Sequence, residues 1–243
     1  MSLKRKAQMS KRLDNIAIEV TRKCNMGCEH CLRGNAQNLD IDFGYIDSFL
    51  SDVSSIGTIT FSGGEPALNV NVIEKTLEYC KEREIEVGGF YIVTNGKENV
   101  LELSVAALKW YAYCWEKEMC GLALSKDMFH ENIPTENEEI LRGLSFFRED
   151  KFTDFNRVNL IEEGRAIDLN GVINTTFRDA AVHNESVDAN FFDDTLEVYS
   201  MLYLSADGQV KSNCDSSYDD NRFNLGHIYD KTLDEMIREH VEL

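Results

Sequence analysis

Three cysteines stand close together near the amino terminus, and their side chains can bind a metal. Cys24, Cys28 and Cys31 follow the spacing C-x3-C-x2-C directly after a predicted strand. Closely spaced Cys thiolates on an irregular loop are the usual ligands of iron–sulfur clusters. Three ligands for a four-iron cluster leave one iron without a protein ligand, so an external molecule can bind that iron directly. The spacing therefore predicts a [4Fe-4S] cluster with one open position.

Two other interpretations of the three cysteines stay open from the residues alone. A zinc ion would take the three thiolates plus His30, although adjacent residues rarely close a tetrahedron well. The cysteines could instead be buried packing residues, but Gly27 and Glu29 beside them make a poor core. Because closely spaced thiolates are the usual ligands of iron–sulfur clusters, we favour a cluster over a zinc site and over packing residues.

Composition limits the class of protein. The chain has 243 residues and a formal net charge of -18, which disfavours a general nucleic-acid binder because such proteins need a basic surface. No apolar run reaches the roughly 20 residues that cross a bilayer. The basic start, residues 1–12, lacks the apolar region of a secretory signal. We expect a cytoplasmic protein without membrane association, whose cysteines are kept reduced.

Strand-like and helix-like segments alternate along the chain. This order predicts βα units, an α/β class and a mainly parallel sheet, and the pattern alone fits a barrel or a doubly wound sheet. The predicted strands are Asn15–Val20, Thr58–Ser62, Phe90–Thr94, Leu122–Ser125, Arg157–Ile161 and Tyr199–Leu204. Residues 168–194 break the rhythm and form either an insertion over the active-site mouth or a surface connection.

Helical spacing and capping boxes mark the helices. The clearest helix has an apolar face with the spacing i, i+4, i+7, i+11, i+14, made of Leu101, Val105, Leu108, Ala112 and Trp115. Two helix starts carry a predicted capping box, Thr135 with Glu138 and Thr232 with Glu235.

Short polar motifs follow the other predicted strands. They are Ser62-Gly63-Gly64-Glu65, Thr94-Asn95-Gly96, Ser125-Lys126-Asp127 and Gly164-Arg165-Ala166. Each is an ordinary turn when taken alone. In α/β barrels the active site is built at the carboxyl ends of the strands, so the position of all four motifs at strand ends indicates a shared site.

Together with the cysteine spacing, these motifs resemble the radical S-adenosylmethionine (SAM) superfamily. The resemblance implies a partial (β/α)6 TIM-type barrel with a [4Fe-4S] cluster and SAM as cofactors. SAM's amino and carboxylate groups then chelate the open iron, and an external reductant of flavodoxin or ferredoxin type supplies one electron. Cleavage gives methionine and a 5′-deoxyadenosyl radical, which abstracts hydrogen from a peptide or small-molecule substrate.

The resemblance also implies roles for single residues around SAM. His30 would stack on adenine, and the Ser62–Glu65 motif would hold the methionine amino group. Thr94 and Asn95 would lie beside SAM, Ser125 would touch the ribose or carboxylate, and Arg165 would pair with the carboxylate.

The end of the chain is similar to a short SPASM or twitch extension. Tyr203–Cys214 is predicted as a hairpin that turns at Asp207-Gly208. The sequence departs from the pattern because Cys214 is the one cysteine of this tail, so no auxiliary cluster is expected. Cys80, Cys114 and Cys120 are predicted to pack as small hydrophobic residues. His130 could face the active site, but a loop histidine without an identified partner is interpreted as a surface residue.

The predicted organisation is an N-terminal extension (1–14), a radical SAM barrel (15–205) and a short tail (206–243). The predicted function is that of a radical SAM oxidoreductase. A glycyl-radical-enzyme activase or a deazapurine-type synthase is the alternative of the same class. A non-catalytic iron–sulfur or zinc-binding protein is the alternative of another class.

Overall fold

The computed structural model describes residues 9–149, 158–169, 175–178 and 186–241, with the backbone alone at 158–159 and 175–178. The helices are α1 (Phe43–Phe49), α2 (Val70–Glu82), α3 (Val100–Tyr113), α4 (Thr135–Arg142) and α5 (Leu233–His240). The strands are β1 (Ser10–Thr21), β2 (Val53–Gly63), β3 (Glu86–Thr94), β4 (Gly121–Leu124), β5 (Phe147–Arg148), β6 (Val158–Ile161), β7 (Thr175–Arg178), β8 (Ala189–Phe192), β9 (Thr195–Leu204), β10 (Gln209–Lys211) and β11 (Asn224–His227).

One sheet organises the chain, in the order β11-β10-β9-β1-β2-β3-β4-β5, with β8 also paired to β9. The run from β9 to β5 is parallel throughout. The sheet is open, because its two end strands in the described chain, β11 and β5, do not pair with each other. The predicted α/β fold, a partial (β/α)6 barrel with a hairpin and helix at its end, is confirmed.

The fifth strand is not where the sequence predicted it. The parallel sheet takes Phe147–Arg148 as its next strand after β4, whereas Val158–Ile161 pairs with Thr175–Arg178 in a separate two-stranded sheet. Arg157, where the predicted strand began, and parts of the 168–194 segment lie outside the described residues. A two-residue strand carries too little periodic pattern to be found from sequence.

The helices that cover the sheet bury one face each. On α2 this face includes Val72, Ile73, Leu77 and Cys80, all of which are buried. Cys114 and Cys120 are buried too, as predicted for packing residues.

Helix α3 turns the opposite face inward from the one that its spacing suggested. Its buried side includes Leu103, Ala107 and Trp110. Leu101, Val105, Leu108 and Trp115 are exposed, as is Ala112. The helix carries apolar residues on two faces, so periodicity alone could not tell which face meets the sheet. The buried face places the large Trp110 next to small alanines, which fills the space between helix and sheet.

The tail of the chain forms as predicted. β9 and β10 pair antiparallel around Gly208, and α5 begins with the predicted capping box of Thr232 and Glu235. The other capping box is wrong: α4 begins at Thr135 itself, and Glu138 instead bonds Lys126 and Arg142. Within the described part of the chain, every helix is too short or too polar to cross a membrane.

Candidate functional site at the carboxyl edge of the sheet

The three cysteines lie on an irregular loop that leaves β1 and returns to α1. Their thiols are free and partly exposed. Burial raises the pKa of Cys24, and nearby Glu65 and Cys31 raise it further. Burial, Cys24, Cys31 and Asp127 raise the pKa of Cys28 to about 11. A cation bound among the thiols would lower these pKa values and stabilise the thiolates.

The two glycines after β2 allow the cysteine loop to pass against them. Gly63 has φ 149°, and a Cβ there would stand 2.2 Å from the Thr21 carbonyl oxygen. A Cβ on Gly64 would stand 2.2 Å from the Lys23 carbonyl oxygen. The two glycines thus let the end of β2 pass close to the backbone of Thr21 and Lys23. The Gly64 N–H donates to the Thr21 carbonyl at 2.8 Å.

Glu65 joins the ends of β2 and β3. Its carboxylate, 1% exposed, accepts from the Ala67 N–H at 3.0 Å, the Thr94 hydroxyl at 2.6 Å and the Asn95 N–H at 2.7 Å. Burial raises the pKa of Glu65 although these bonds oppose the rise. In this structure the carboxylate acts as a brace of the two strand ends.

Asn95 connects that brace to the cysteine loop. Its side-chain amide donates to Asn25 Oδ1 at 2.8 Å and lies 3.9 Å from Cys24 Sγ. Gly96 follows with φ 69°, as the predicted turn requires. The Thr94-Asn95 turn thereby fixes the position of the first cysteine relative to β3.

Asp127 holds two histidines, and sequence analysis missed this arrangement. Its carboxylate oxygens lie 3.2 Å from His30 Nε2 and 2.8 Å from His130 Nδ1. Burial alone would raise the pKa of Asp127, but the hydrogen bonds from His130 and His30 hold it well below its usual range. His130 is therefore a partner of the site and not the surface residue that was predicted. A loop histidine three residues after an Asp was the available signal.

Within the described residues, His30, Asp127 and His130 are the group of potential metal ligands whose donor atoms lie within 4.8 Å of one another. The hydrogen bonds account for this proximity. His30 also stacks on Phe129 with ring centroids 5.0 Å apart, and its Nδ1 is buried without a partner.

The remaining predicted residues border the same loop. The Arg165 N–H donates to the Cys31 carbonyl at 3.0 Å, and its Nε is buried without a hydrogen-bond partner. The Ser125 N–H donates to the Thr94 carbonyl at 2.8 Å. Ser62, at the end of β2, is paired in register with Glu19 of β1. All the predicted strand-end motifs thus gather around the cysteine loop.

The end of the chain packs on the other side of this loop. Glu19 and Asp207 both bond Arg22, each at 3.0 Å. Arg33 lies over the Tyr203 ring, and its Nη1 donates to the Ser216 carbonyl at 2.7 Å. These charged contacts fix β10 and the following loop against the segment that carries the cysteines.

Several buried polar atoms of this tail have no hydrogen-bond partner. They are Ser212 Oγ, Asn213 Nδ2, Ser216 Oγ and Asn224 Oδ1. Buried polar groups in proteins are normally hydrogen-bonded, so these atoms are free to bond a molecule placed beside them. Sequence analysis had singled out Cys214 alone in this stretch.

Comparisons with known proteins agree with this architecture. No family model matches the sequence. The uncharacterized protein MJ0907 of Methanocaldococcus jannaschii is 39% identical over 74 residues, which cover 29% of this chain and 26% of that protein. The match thus spans about a quarter of that relative's length.

Two solved structures share the fold over 95% of this chain. One is anSMEcpe with bound AdoMet and the Cp18Cys peptide, at 15% identity, a TM-score of 0.52 and 82% coverage of that chain. The other is Streptococcus suis SuiB bound to the precursor peptide SuiA, at 13% identity, a TM-score of 0.51 and 65% coverage. This chain therefore has the open, partial-barrel fold of those two proteins.

Proposed function

We propose that this chain is a radical SAM enzyme that holds a [4Fe-4S] cluster at Cys24, Cys28 and Cys31. The observation that carries the proposal is the convergence of four strand-end motifs on one loop. Asn95 bonds both the loop and the Glu65 brace, and Arg165 reaches the loop from a separate segment. A loop used for packing or a single structural ion would not need this arrangement at the carboxyl edge of the sheet.

The donor set fits an iron–sulfur cluster better than a zinc ion. Zinc would need a fourth ligand, and His30 is the candidate beside the thiols. Its Nε2 is directed to Asp127, and the histidine forms a group of potential ligands with Asp127 and His130; in the described chain no group of three donors within 4.8 Å of one another includes the thiols. Three partly exposed thiols without that histidine match a cluster with one open iron.

The cluster, when bound and reduced, supplies the electron that breaks SAM's sulfonium bond and releases the 5′-deoxyadenosyl radical. The chain's own residues position SAM. We assign the methionine end to Ser62, Gly63, Gly64, Thr94 and Asn95, with Glu65 fixing their geometry.

The adenosine end and the carboxylate of SAM use other residues. Asp127 orients His30 for contact with adenine, and Ser125 lies at the end of the neighbouring strand. The unpartnered Nε of Arg165 supports pairing with SAM's carboxylate, because a buried guanidinium donor without an acceptor is costly.

We propose a peptide as the substrate, with a small metabolite as the second candidate. Two proteins with this fold are seen with peptides bound, anSMEcpe and SuiB. The substrate would enter between the cysteine loop and the stretch 212–224, where the orphaned polar atoms lie. A one-electron donor of flavodoxin or ferredoxin type would reduce the cluster. A glycyl-radical activase or deazapurine-type synthase would share the SAM step and differ in substrate.

Anaerobic reconstitution with iron and sulfide tests the proposal. Reduction with dithionite in the presence of SAM should yield 5′-deoxyadenosine. The variant Cys28→Ser should lose both the iron–sulfur absorbance and this product. Cys214→Ser is the matched control, because it removes a cysteine outside the triad, and it should keep the absorbance.

Two results would contradict the proposal. Zinc bound at the triad with no iron would favour a structural site. A cluster that forms but never cleaves SAM would favour an electron-transfer protein.

A further inference from the structure

An exposed apolar stripe runs along the outer face of α3. Leu101 is 61% exposed, Val105 43% and Leu108 48%. Trp115, just beyond the helix, is 68% exposed. Contiguous apolar patches that are exposed to solvent mark sites of macromolecular contact. Trp is among the residues most enriched at binding hot spots.

The stripe has the spacing of a helix–helix seam. Leu101, Val105, Leu108 and Ala112 recur at intervals of four, three and four residues within the helix. This is the a/d pattern by which one helix receives the side chains of another. Trp115 lies beyond it, because the helix ends at Tyr113 and the backbone of Cys114 is not helical. The buried face of α3 packs on the sheet, and the stripe stays uncovered by the part of the chain that the structure describes.

Trp115 is exposed in spite of a firmly held backbone. Its N–H donates to the Val87 carbonyl at 3.2 Å, and the Glu116 N–H donates to the Gly88 carbonyl at 2.9 Å. These bonds fix the residue at the start of β3, at the end of the sheet opposite the cysteine loop. The backbone of Trp115 is therefore already ordered, so binding a partner costs no ordering of the backbone there.

A groove begins at Trp115. Two cavities, of about 480 Å³ and 680 Å³, share Glu84, Glu86 and Trp115 in their walls and so form one continuous groove. The first is also lined by Tyr113, and the second reaches Asp14.

The groove is negatively charged. Asp14, Glu84 and Glu86 are exposed and make no ion pair with any described residue. The cations beside them are engaged: Arg12 pairs with Glu197 at 3.3 Å, and the Lys81 ammonium lies over the Tyr113 ring. Acidic side chains therefore outnumber basic ones in the walls of the groove, which favours an occupant with positive charge.

We propose that the α3 stripe and the groove at Trp115 together form a docking surface for a basic amphipathic helix of another polypeptide. Its apolar side would cover the stripe, and its Lys or Arg side chains would enter the acidic groove. A second copy of this chain fits less well, since each copy carries a net charge of -18. The groove and Trp115 lie at the opposite end of β3 from the candidate site, and the inference does not depend on the SAM chemistry.

Tryptophan fluorescence can test this directly. The chain has two tryptophans, and Trp110 is fully buried, so a change in emission on binding reports on Trp115. The probe is a 14-residue helical peptide of Leu and Lys in heptad spacing. It should shift the emission to shorter wavelength in a saturable way, whereas a matched Leu and Glu peptide should not.

Charge variants separate the groove from the general acidity of the chain. Glu84→Gln with Glu86→Gln should weaken binding of the Lys peptide by about tenfold, as the loss of two modest ion pairs implies. Glu136→Gln with Asp219→Asn changes the net charge equally at exposed sites elsewhere, and it should leave the affinity nearly unchanged.

Three outcomes would overturn the inference. They are equal binding of both peptides, equal weakening by both pairs of substitutions, or no binding of the Lys peptide. A dimer in sedimentation equilibrium that Leu108→Glu dissociates would identify the occupant as a second copy and reject the partner helix.

Discussion

Replacing Gly63 by alanine is the sharpest test of how the cysteine loop is held. The backbone there has φ 149°, a conformation that an L side chain rarely adopts. A Cβ would also stand 2.2 Å from the Thr21 carbonyl oxygen, far inside a normal contact. That oxygen belongs to the end of β1, which cannot move without shifting the loop that carries Cys24.

The size of the effect follows from two costs. Backbone strain at such a position costs about 1–3 kcal/mol, and forced overpacking costs about 1–3 kcal/mol. The lower chain entropy of alanine in the unfolded state returns about 0.4–1 kcal/mol. Gly63→Ala should therefore destabilise the protein by about 1–6 kcal/mol, or roughly 2–20 °C in melting temperature for a chain of this size.

Thermal unfolding of the metal-free protein measures this effect, and iron content after reconstitution measures its consequence for the loop. Gly27→Ala is the matched control in the same loop, because a Cβ there meets nothing within 4 Å and φ is not positive. We expect the control to melt near the unsubstituted protein. If Gly63→Ala melts there too, the close packing of the loop on β2 is refuted.

Two further predictions concern the carboxylates of the site. Glu65→Gln should lower the free energy of unfolding in urea by about 1–3 kcal/mol, because an amide N–H then faces the Asn95 N–H. The control Glu136→Gln, at an exposed position, should lower it by almost nothing. Equal losses for the two variants would contradict the role of Glu65 in joining the strand ends. Asp127→Asn should lower stability at neutral pH by a similar amount and weaken its acid dependence. Because the folded pKa of Asp127 lies below its unfolded value of about 3.9, its contribution is complete above that pH and is lost as the pH falls further. Parallel acid unfolding curves for the two proteins would contradict the pairing with His130.

The local chemistry was readable from the sequence. Spacing alone singled out Cys24, Cys28 and Cys31, and turn residues marked the strand ends, because both signals are short-range and need no knowledge of packing. The capping box at Thr232 and the hairpin at Gly208 were found for the same reason. The parallel sheet followed from the alternation of two periodicities.

What the sequence could not decide was which groups meet across the fold. Helix α3 has two apolar faces, and only packing against the sheet determined that Trp110 is buried and Trp115 exposed. Glu65 suggested a ligand contact by its motif, but tertiary structure surrounds it with three donors of its own chain. His130 gained a role because Asp127 also reaches His30, a partner 97 residues earlier in the chain. The cysteines and turns were fixed by local spacing, whereas their mutual support depends on contacts between distant segments, which exist only once the sheet has formed.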